Sequence, residues 1–320
     1  MDEVTARIYQ RFGAIETPAL SPCYSRLSLG ISTDPAVVDL IAELPRPKRQ
    51  ANLLFGASRY LGAALDAYPP FRAWLLANWA AVREVMLTRS TQTNEAGRCA
   101  LYLPTLNGLP QPLALIEVGA AAGLCLHPDK YSYRYATPSG PVALDPDDGP
   151  SEVTIDCTID TAAPARLPEV AWRAGVDLNP LDPSEPDTLA WLDALIWPEH
   201  EQRRRRLGAA ARIAAADPVP IVAGDLVEQI GGLVDSAPGG ATVVVFHTAV
   251  LVYLEPERRQ QFAALMMDDP RVTWVSNEGA GVLPEITTQV ESPSGDGMIL
   301  AVNGRAVAQT RPHGDGYRML

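Results

Sequence analysis

The sequence predicts an α/β fold: a doubly wound, mostly parallel sheet that ends in an antiparallel hairpin and carries an N-terminal helical cap. Three observations lead there. After about residue 110, short continuous apolar runs alternate with helical patterns, as in parallel strands covered on both faces. Before that point the periodicity is helical throughout. Near the end, "ILAVNGRAVAQ" sets Asn303-Gly304 between two apolar runs, a two-residue hairpin signal.

The elements follow in order. "DPAVVDLIAEL" opens with Asp34 as N-cap and Pro35 at the first helical position. "ANLLFGASRYLGAAL" and "FRAWLLANWAAVREVML" continue the helical spacing, so residues 1–110 read as the cap and 111–320 as the α/β domain. Strands are expected at "LALIEVG", "AGVDL", "IVAGD", "TVVVFH", "RVTWVS" and "MILAV". Between them "TLAWLDALIW", "EHEQRRRRLGAAARIAAA" and "PERRQQFAALMM" read as covering helices. "IEVGAAAGLCL", Ile116 to Leu126, reads as a buried strand, a small-residue turn and then a helix. Sixty positions separate Glu117 from Asp177, where a strand–helix–strand unit needs about 30. The surplus, about residues 127–172, reads as a β insertion near the ligand edge, with "YSYRY" and "VTIDCTI" as its alternating segments. The stretch from Gly279 to Gly297 holds Pro284 and Pro293 and lacks a clear helix.

Bulk properties narrow the function. With 320 residues and 47% hydrophobic content the chain can bury a large core. Its formal charge of -12 repels phosphate backbones and anionic membranes, which disfavours nucleic acid and membrane surfaces as partners and leaves a small-molecule substrate. The one basic run, Arg203 to Arg206, follows Glu199 and Glu201 and reads as a solvated, ion-paired helix face. No secretion-type leader and no apolar stretch of roughly 20 residues is visible, so a cytoplasmic location is expected. Cys23, Cys99, Cys125 and Cys157 are scattered and the four histidines lie far apart, so no metal site is suggested.

Open parallel sheets bind ligands at the carboxyl ends of their strands. Here those ends carry Glu117 with Gly119 and Gly123, then Asp177, Asp225, His247, and finally Asn277 with Glu278. A nicotinamide fingerprint needs G-x-G-x-x-G, and the spacing from Gly119 fails it. The turn reads E-x-G-x-x-x-G instead, with Ala121 between the glycines.

This turn resembles the first motif of class I S-adenosylmethionine-dependent methyltransferases. The resemblance spans about residues 111–320 and implies the cofactor S-adenosylmethionine, with methyl transfer to an oxygen or nitrogen of a small molecule. Glu117 would then be the acid ending strand one, with Gly119 and Gly123 giving the backbone access to the methionine part of the cofactor. "AGVDLNP" is similar to the second motif, which implies Asp177 at the ribose hydroxyls. "VAGD" resembles the third and implies Asp225 at the adenine amino group. "VVVFHTAVLVYL" looks like the fourth, with His247 facing the substrate as the base and Glu278 second to it. Ala121 departs from the motif, which usually has glycine there. Across nearly the whole chain, "TQTNEAGR", "EVGAAAGL", "GVDLNP" and "VVFHTAVLVYL" resemble a bacterial domain of unknown function, which brings no established activity.

Every one of these residues also has a plain structural reading. Gly119 and Gly123 can serve close packing, Asp177 a turn, and Asp225 a helix cap. His247 can be a satisfied core histidine and Glu278 the partner of an arginine. "TQTNEAGR" can be a solvated helix start, or it can fold over the sheet edge so that Asn94 or Arg98 meets the cofactor's carboxylate or a substrate. A ligand-binding or scaffold protein without catalysis is the competing reading of the whole.

Overall fold

A parallel strand must bury apolar side chains on both faces, and a helix only a stripe, so the two halves of this sequence settle differently. The computed structural model describes residues 1–292 and 297–320. Helices α1 (Glu3–Arg11), α2 (Pro22–Ser32), α3 (Pro35–Ala42), α4 (Ala51–Tyr60), α5 (Tyr68–Thr88) and α6 (Cys99–Asn107) precede strand β1 (Leu113–Val118). Strands β2 (Ser132–Thr137), β3 (Gly140–Leu144), β4 (Thr154–Ile159) and β5 (Val170–Asp177) follow, then helices α7 (Pro186–Leu195) and α8 (Glu201–Ala216). The remainder is β6 (Ile221–Ala223), α9 (Leu226–Ser236), β7 (Thr242–Thr248), α10 (Pro256–Asp268), β8 (Val272–Gly279), α11 (Pro284–Thr287), β9 (Met298–Val302), β10 (Arg305–Thr310) and β11 (Gly316–Met319). Pro293 lies outside the described residues, and α11 is a single short turn in the stretch that lacks a helical pattern. Among the described residues no helix is long and apolar enough to cross a membrane.

The chain divides into two units: residues 1–93 with 185–205, and residues 94–184 with 206–320. The sequence boundary at 110 therefore shifts at both ends. Residues 94–110 fold with the sheet, and "TLAWLDALIW", expected to cover a strand crossover, returns to the helical unit as α7. The reason is its apolar face: buried Trp191 joins the core of Tyr24, Phe55, Phe71 and Val82, and meets Tyr60 edge-on at 5.8 Å. Asp34 caps α3 as its position predicts, accepting from the amides of Ala36 and Val37.

The second unit is built on one eleven-stranded sheet, in the order β3-β2-β4-β11-β10-β9-β8-β7-β1-β5-β6. Its parallel part, β6-β5-β1-β7-β8, has the third-second-first-fourth-fifth order of a doubly wound sheet, with the switch point between β1 and β7. Strands β9, β10 and β11 add antiparallel, and the turn at Asn303 and Gly304 has φ of 47° and 74°, as the hairpin signal required. The β insertion forms no separate excursion. Strand β4 pairs parallel to β11, and β2 and β3 continue the sheet beyond it. Pairing removes an exposed edge from β11.

Strand alternation sorts the core. Ala114, Ile116 and Val118 of β1 and Val243 and Val245 of β7 face α9 and α10, with Ile230, Phe262 and Met266. The odd members of β1 and the even members of β7 face the other way, where Tyr102 of α6 packs against Phe246 at 5.1 Å. After β1 no helix follows, contrary to expectation. Two 3-10 turns, Leu124–Leu126 and Pro128–Lys130, lead into β2, and Pro128 interrupts any helix that starts at Leu124.

Candidate functional site

The turn after β1 is held in an unusual conformation. Gly119, Ala121 and Gly123 all have positive φ, at 70°, 48° and 69°. The first and last are glycines for that reason; Ala121 adopts the same left-handed region at a cost of about 1–2 kcal/mol. The backbone geometry of the glycine-rich turn thus persists with a methyl group in its middle.

Its surroundings hold it there. Asp177 accepts the Ala121 amide at 2.8 Å and, with its other oxygen, the Asn179 amide at 2.8 Å. Asn94 donates to the Ala120 carbonyl at 2.9 Å and accepts from the Leu124 amide at 3.1 Å. The amides of Gly119 and Ala120 go to the Val176 carbonyl, and that of Gly123 to Ala120. Five amides of the turn are therefore committed to protein acceptors. A phosphate-binding loop needs such amides turned outward.

The glycines are also packed from outside. A Cβ at Gly119 would meet Val250 Cγ2 at 2.5 Å, and one at Gly123 would meet Ile221 Cδ1 at 3.2 Å. The space expected to admit the cofactor's methionine part at Gly119 is filled by Val250, from the turn after β7.

Opposite faces of the sheet receive the strand-end polar groups. His247, at even spacing from Val243 and Val245, lies on the α9–α10 face, where Phe262 of α10 meets it edge-on at 5.6 Å. Trp274 donates its indole N–H to His247 Nε2 at 3.0 Å. An indole nitrogen only donates, so Nε2 is the acceptor and Nδ1 carries the proton, which it donates to Glu278 Oε1 at 2.7 Å. The same oxygen accepts from the amides of Val250 and Leu251 at 3.0 and 3.1 Å. His247, expected to face the substrate, thus has both ring nitrogens engaged and is fully buried. Through Glu278 it fixes the turn that carries Val250, and Val250 closes over Gly119. Asp225 sits on this face too, capping α9 through the Val227 amide and paired with Arg258, which lowers its pKa.

The other face holds Glu117, which is 7% exposed and whose Oε2 has no hydrogen-bond partner. Burial first, and then the Cys125 thiol, hold its pKa well above the usual carboxylate range, while Arg98 pulls it down. Arg98 is 8% exposed and donates only to two carbonyls, those of Pro312 at 3.0 Å and Thr248 at 3.3 Å. Among the described residues it forms no ion pair. The segment "TQTNEAGR" does reach the carboxyl edge of the sheet, through Asn94 and Arg98. Its Glu95 pairs with Arg206 at 2.8 Å in a buried contact, so the last arginine of the basic run is no solvated face. Arg204 and Arg205 pair as expected, with Asp193 and Glu201.

Three features at this edge escaped sequence reading. Leu178, directly after Asp177, is 80% exposed. Val250 and Trp274 position the turn and the histidine, and neither carries any signal beyond an ordinary apolar residue.

The fold and this edge define a doubly wound α/β protein with a constrained, glycine-rich turn at its switch point. The chain matches a family described as uncharacterized protein conserved in bacteria (DUF2332) over residues 6–318, and it belongs to that family. Among curated proteins none matches it.

Proposed function

We propose that the carboxyl edge of β1 and β5 binds S-adenosylmethionine and that the protein transfers its methyl group to an oxygen or nitrogen of a small molecule. The observation that carries this reading is a buried carboxyl oxygen without a donor and a buried guanidinium that forms no salt bridge, both at the turn. Glu117 has an oxygen without a donor, and Arg98 has no acid. A buried cation that forms no salt bridge is costly, and a buried carboxyl oxygen without a donor also. An α-amino acid group supplies both at once, its carboxylate to Arg98 and its ammonium to Glu117.

The remaining groups are compatible. A carboxylate has about four lone-pair sites, so Asp177 can hold the Ala121 and Asn179 amides and still accept from ribose hydroxyls. Exposed Leu178 offers an apolar face beside it for a flat base. The committed amides of the turn disfavour NAD and ATP, whose phosphates would need them, and suit a nucleoside cofactor that has no phosphate. Bound there, S-adenosylmethionine supplies a methyl group on a sulfonium, ready for in-line attack. The chain's own task is to orient the two reactants and exclude water. In this reading His247 and Glu278 act by positioning the turn at Val250, and Asp225 by joining α9 to α10. They do not act as the base and the adenine contact.

A second reading keeps the ligand and drops the chemistry. It is favoured by one observation, the engagement of both His247 nitrogens, which leaves no evident base.

Calorimetry with S-adenosylmethionine, its demethylated product, NAD and ATP tests the proposal. The two adenosyl amino acids should bind at one site per chain, and NAD and ATP should not. Binding of NAD or ATP alone, or of none of the four by the folded protein, would overturn it.

A further inference from the structure

Two of the four cysteines meet in the second unit, beside the candidate edge. Cys99 opens α6 directly after Arg98, and Cys125 lies in the 3-10 turn Leu124–Leu126 that follows β1. The Cys99 thiol donates to the Cys125 carbonyl at 3.5 Å, and the Cys125 thiol donates to the Glu95 carbonyl at 3.4 Å. The two thiols also lie within hydrogen-bonding reach of each other. Both are free, and they are 0% and 4% exposed. Cys23 belongs to the helical unit, and Cys157 lies on β4.

The same two segments are joined by Asn94, through the Ala120 carbonyl and the Leu124 amide. These four hydrogen bonds lace residues 94–99 to residues 120–125. Residues 96–98 and 124–126 are single 3-10 turns, which adjust to disulfide geometry more readily than a helix interior or a central strand. Small apolar residues would fill the space equally well, and a thiol pair adds the one chemistry they lack.

We propose that Cys99 and Cys125 form a peroxide-sensitive latch, a disulfide that ties residues 94–99 to the turn after β1. Hydrogen peroxide is close to water in size and so suits a pair with little exposure. Attack of the Cys125 sulfur on a peroxide oxygen breaks the O–O bond, leaves Cys125 as a sulfenic acid and releases water. The Cys99 sulfur then displaces the sulfenic oxygen, which leaves as a second water while the S–S bond closes. One peroxide is reduced to two waters and the two thiols are oxidised to one disulfide, which a dithiol reverses. The Cys99 thiol and burial hold the Cys125 pKa well above the usual thiol range. Thiolate is then scarce at neutral pH, so the pair answers to sustained peroxide rather than to traces. The bond spans 26 positions of chain and needs no S-adenosylmethionine, and Arg98 lies inside the tied segment.

The test is peroxide treatment of the full chain, alkylation of the remaining thiols and digestion without reductant, read by mass spectrometry. The peptides of Cys99 and Cys125 should be joined, and dithiothreitol should separate them. Oxidation of exposed Met267 measures the peroxide exposure within the same sample. Hydrogen exchange over residues 94–99 and 119–126 should slow in the oxidised protein and stay unchanged in peroxide-treated Cys125→Ser. If that variant does not fold, Cys99→Ser takes its place. No joined pair once Met267 is oxidised, joining mainly to Cys23 or Cys157, or a joined pair with unaltered exchange overturns the latch.

Discussion

Two buried glutamates end β1 and β8, strands on either side of β7, and their surroundings differ. Glu278 gathers three donors on one oxygen, from His247, Val250 and Leu251. Glu117, on the other face, has an oxygen with no donor at all and a pKa held high by burial. The first carboxylate anchors a turn through its Oε1, while its Oε2, like that of Glu117, has no hydrogen-bond partner. The second anchors no turn in this way and has its pKa raised by burial, and an unsatisfied buried group in a native fold calls for an explanation such as a ligand. The difference says where to look for the proposed ligand: on the α6 face of the edge, while the α9–α10 face supports the turn at Val250.

The largest effect should come from dismantling the anchor at Glu278. Glu278→Ala strands three buried donors and should cost about 3–5 kcal/mol of stability, read from the denaturant midpoint. A cost below 1 kcal/mol would remove the supporting role. Asp177→Ala comes next. It should weaken S-adenosylmethionine by about 1–3 kcal/mol in a folded protein, and unchanged affinity would take Asp177 out of the ribose role.

Glu117→Gln sharpens the contrast through pH. Because the folded pKa is raised, the folded protein keeps the Glu117 proton after the unfolded chain has lost it. Stability is then full below the ordinary carboxylate range and declines as pH rises toward the folded value. The variant should lack this decline and gain on the wild type as pH rises above the ordinary carboxylate range; parallel stability profiles would show that Glu117 is not held protonated. Smallest is Ala121→Gly, which relieves a left-handed alanine but adds chain freedom. Its stability should change by under about 1 kcal/mol, and a larger loss would mean that the Ala121 methyl packs.

Much of this was legible in the chain, and the failures have physical causes. Strand positions followed from apolar runs, and the Asn303-Gly304 turn from its residue pair, because both signals are local. The turn at Gly119 to Gly123 was visible because left-handed backbone selects glycine. The facing of His247 was not. "TVVVFH" is apolar on both sides, as a buried parallel strand must be, so its alternation is silent and the strand-end residues look equivalent. The return of α7 to the helical unit was hidden for a related reason. An amphipathic helix displays a buried face but not its partner, and only Trp191 among Phe55 and Phe71 reveals it. Arg98 and Glu117 were singled out by position, yet the missing salt bridge of the one and the missing donor of the other are properties of packing.

The most direct test is the proton count on binding. Calorimetric titration of S-adenosylmethionine in phosphate and in Tris, whose ionisation enthalpies differ, gives the protons released per site. A protonated Glu117 that receives the ligand's ammonium must give up its proton. The account predicts net proton release on binding in the wild type and none in Glu117→Gln. The same count in both proteins would contradict it.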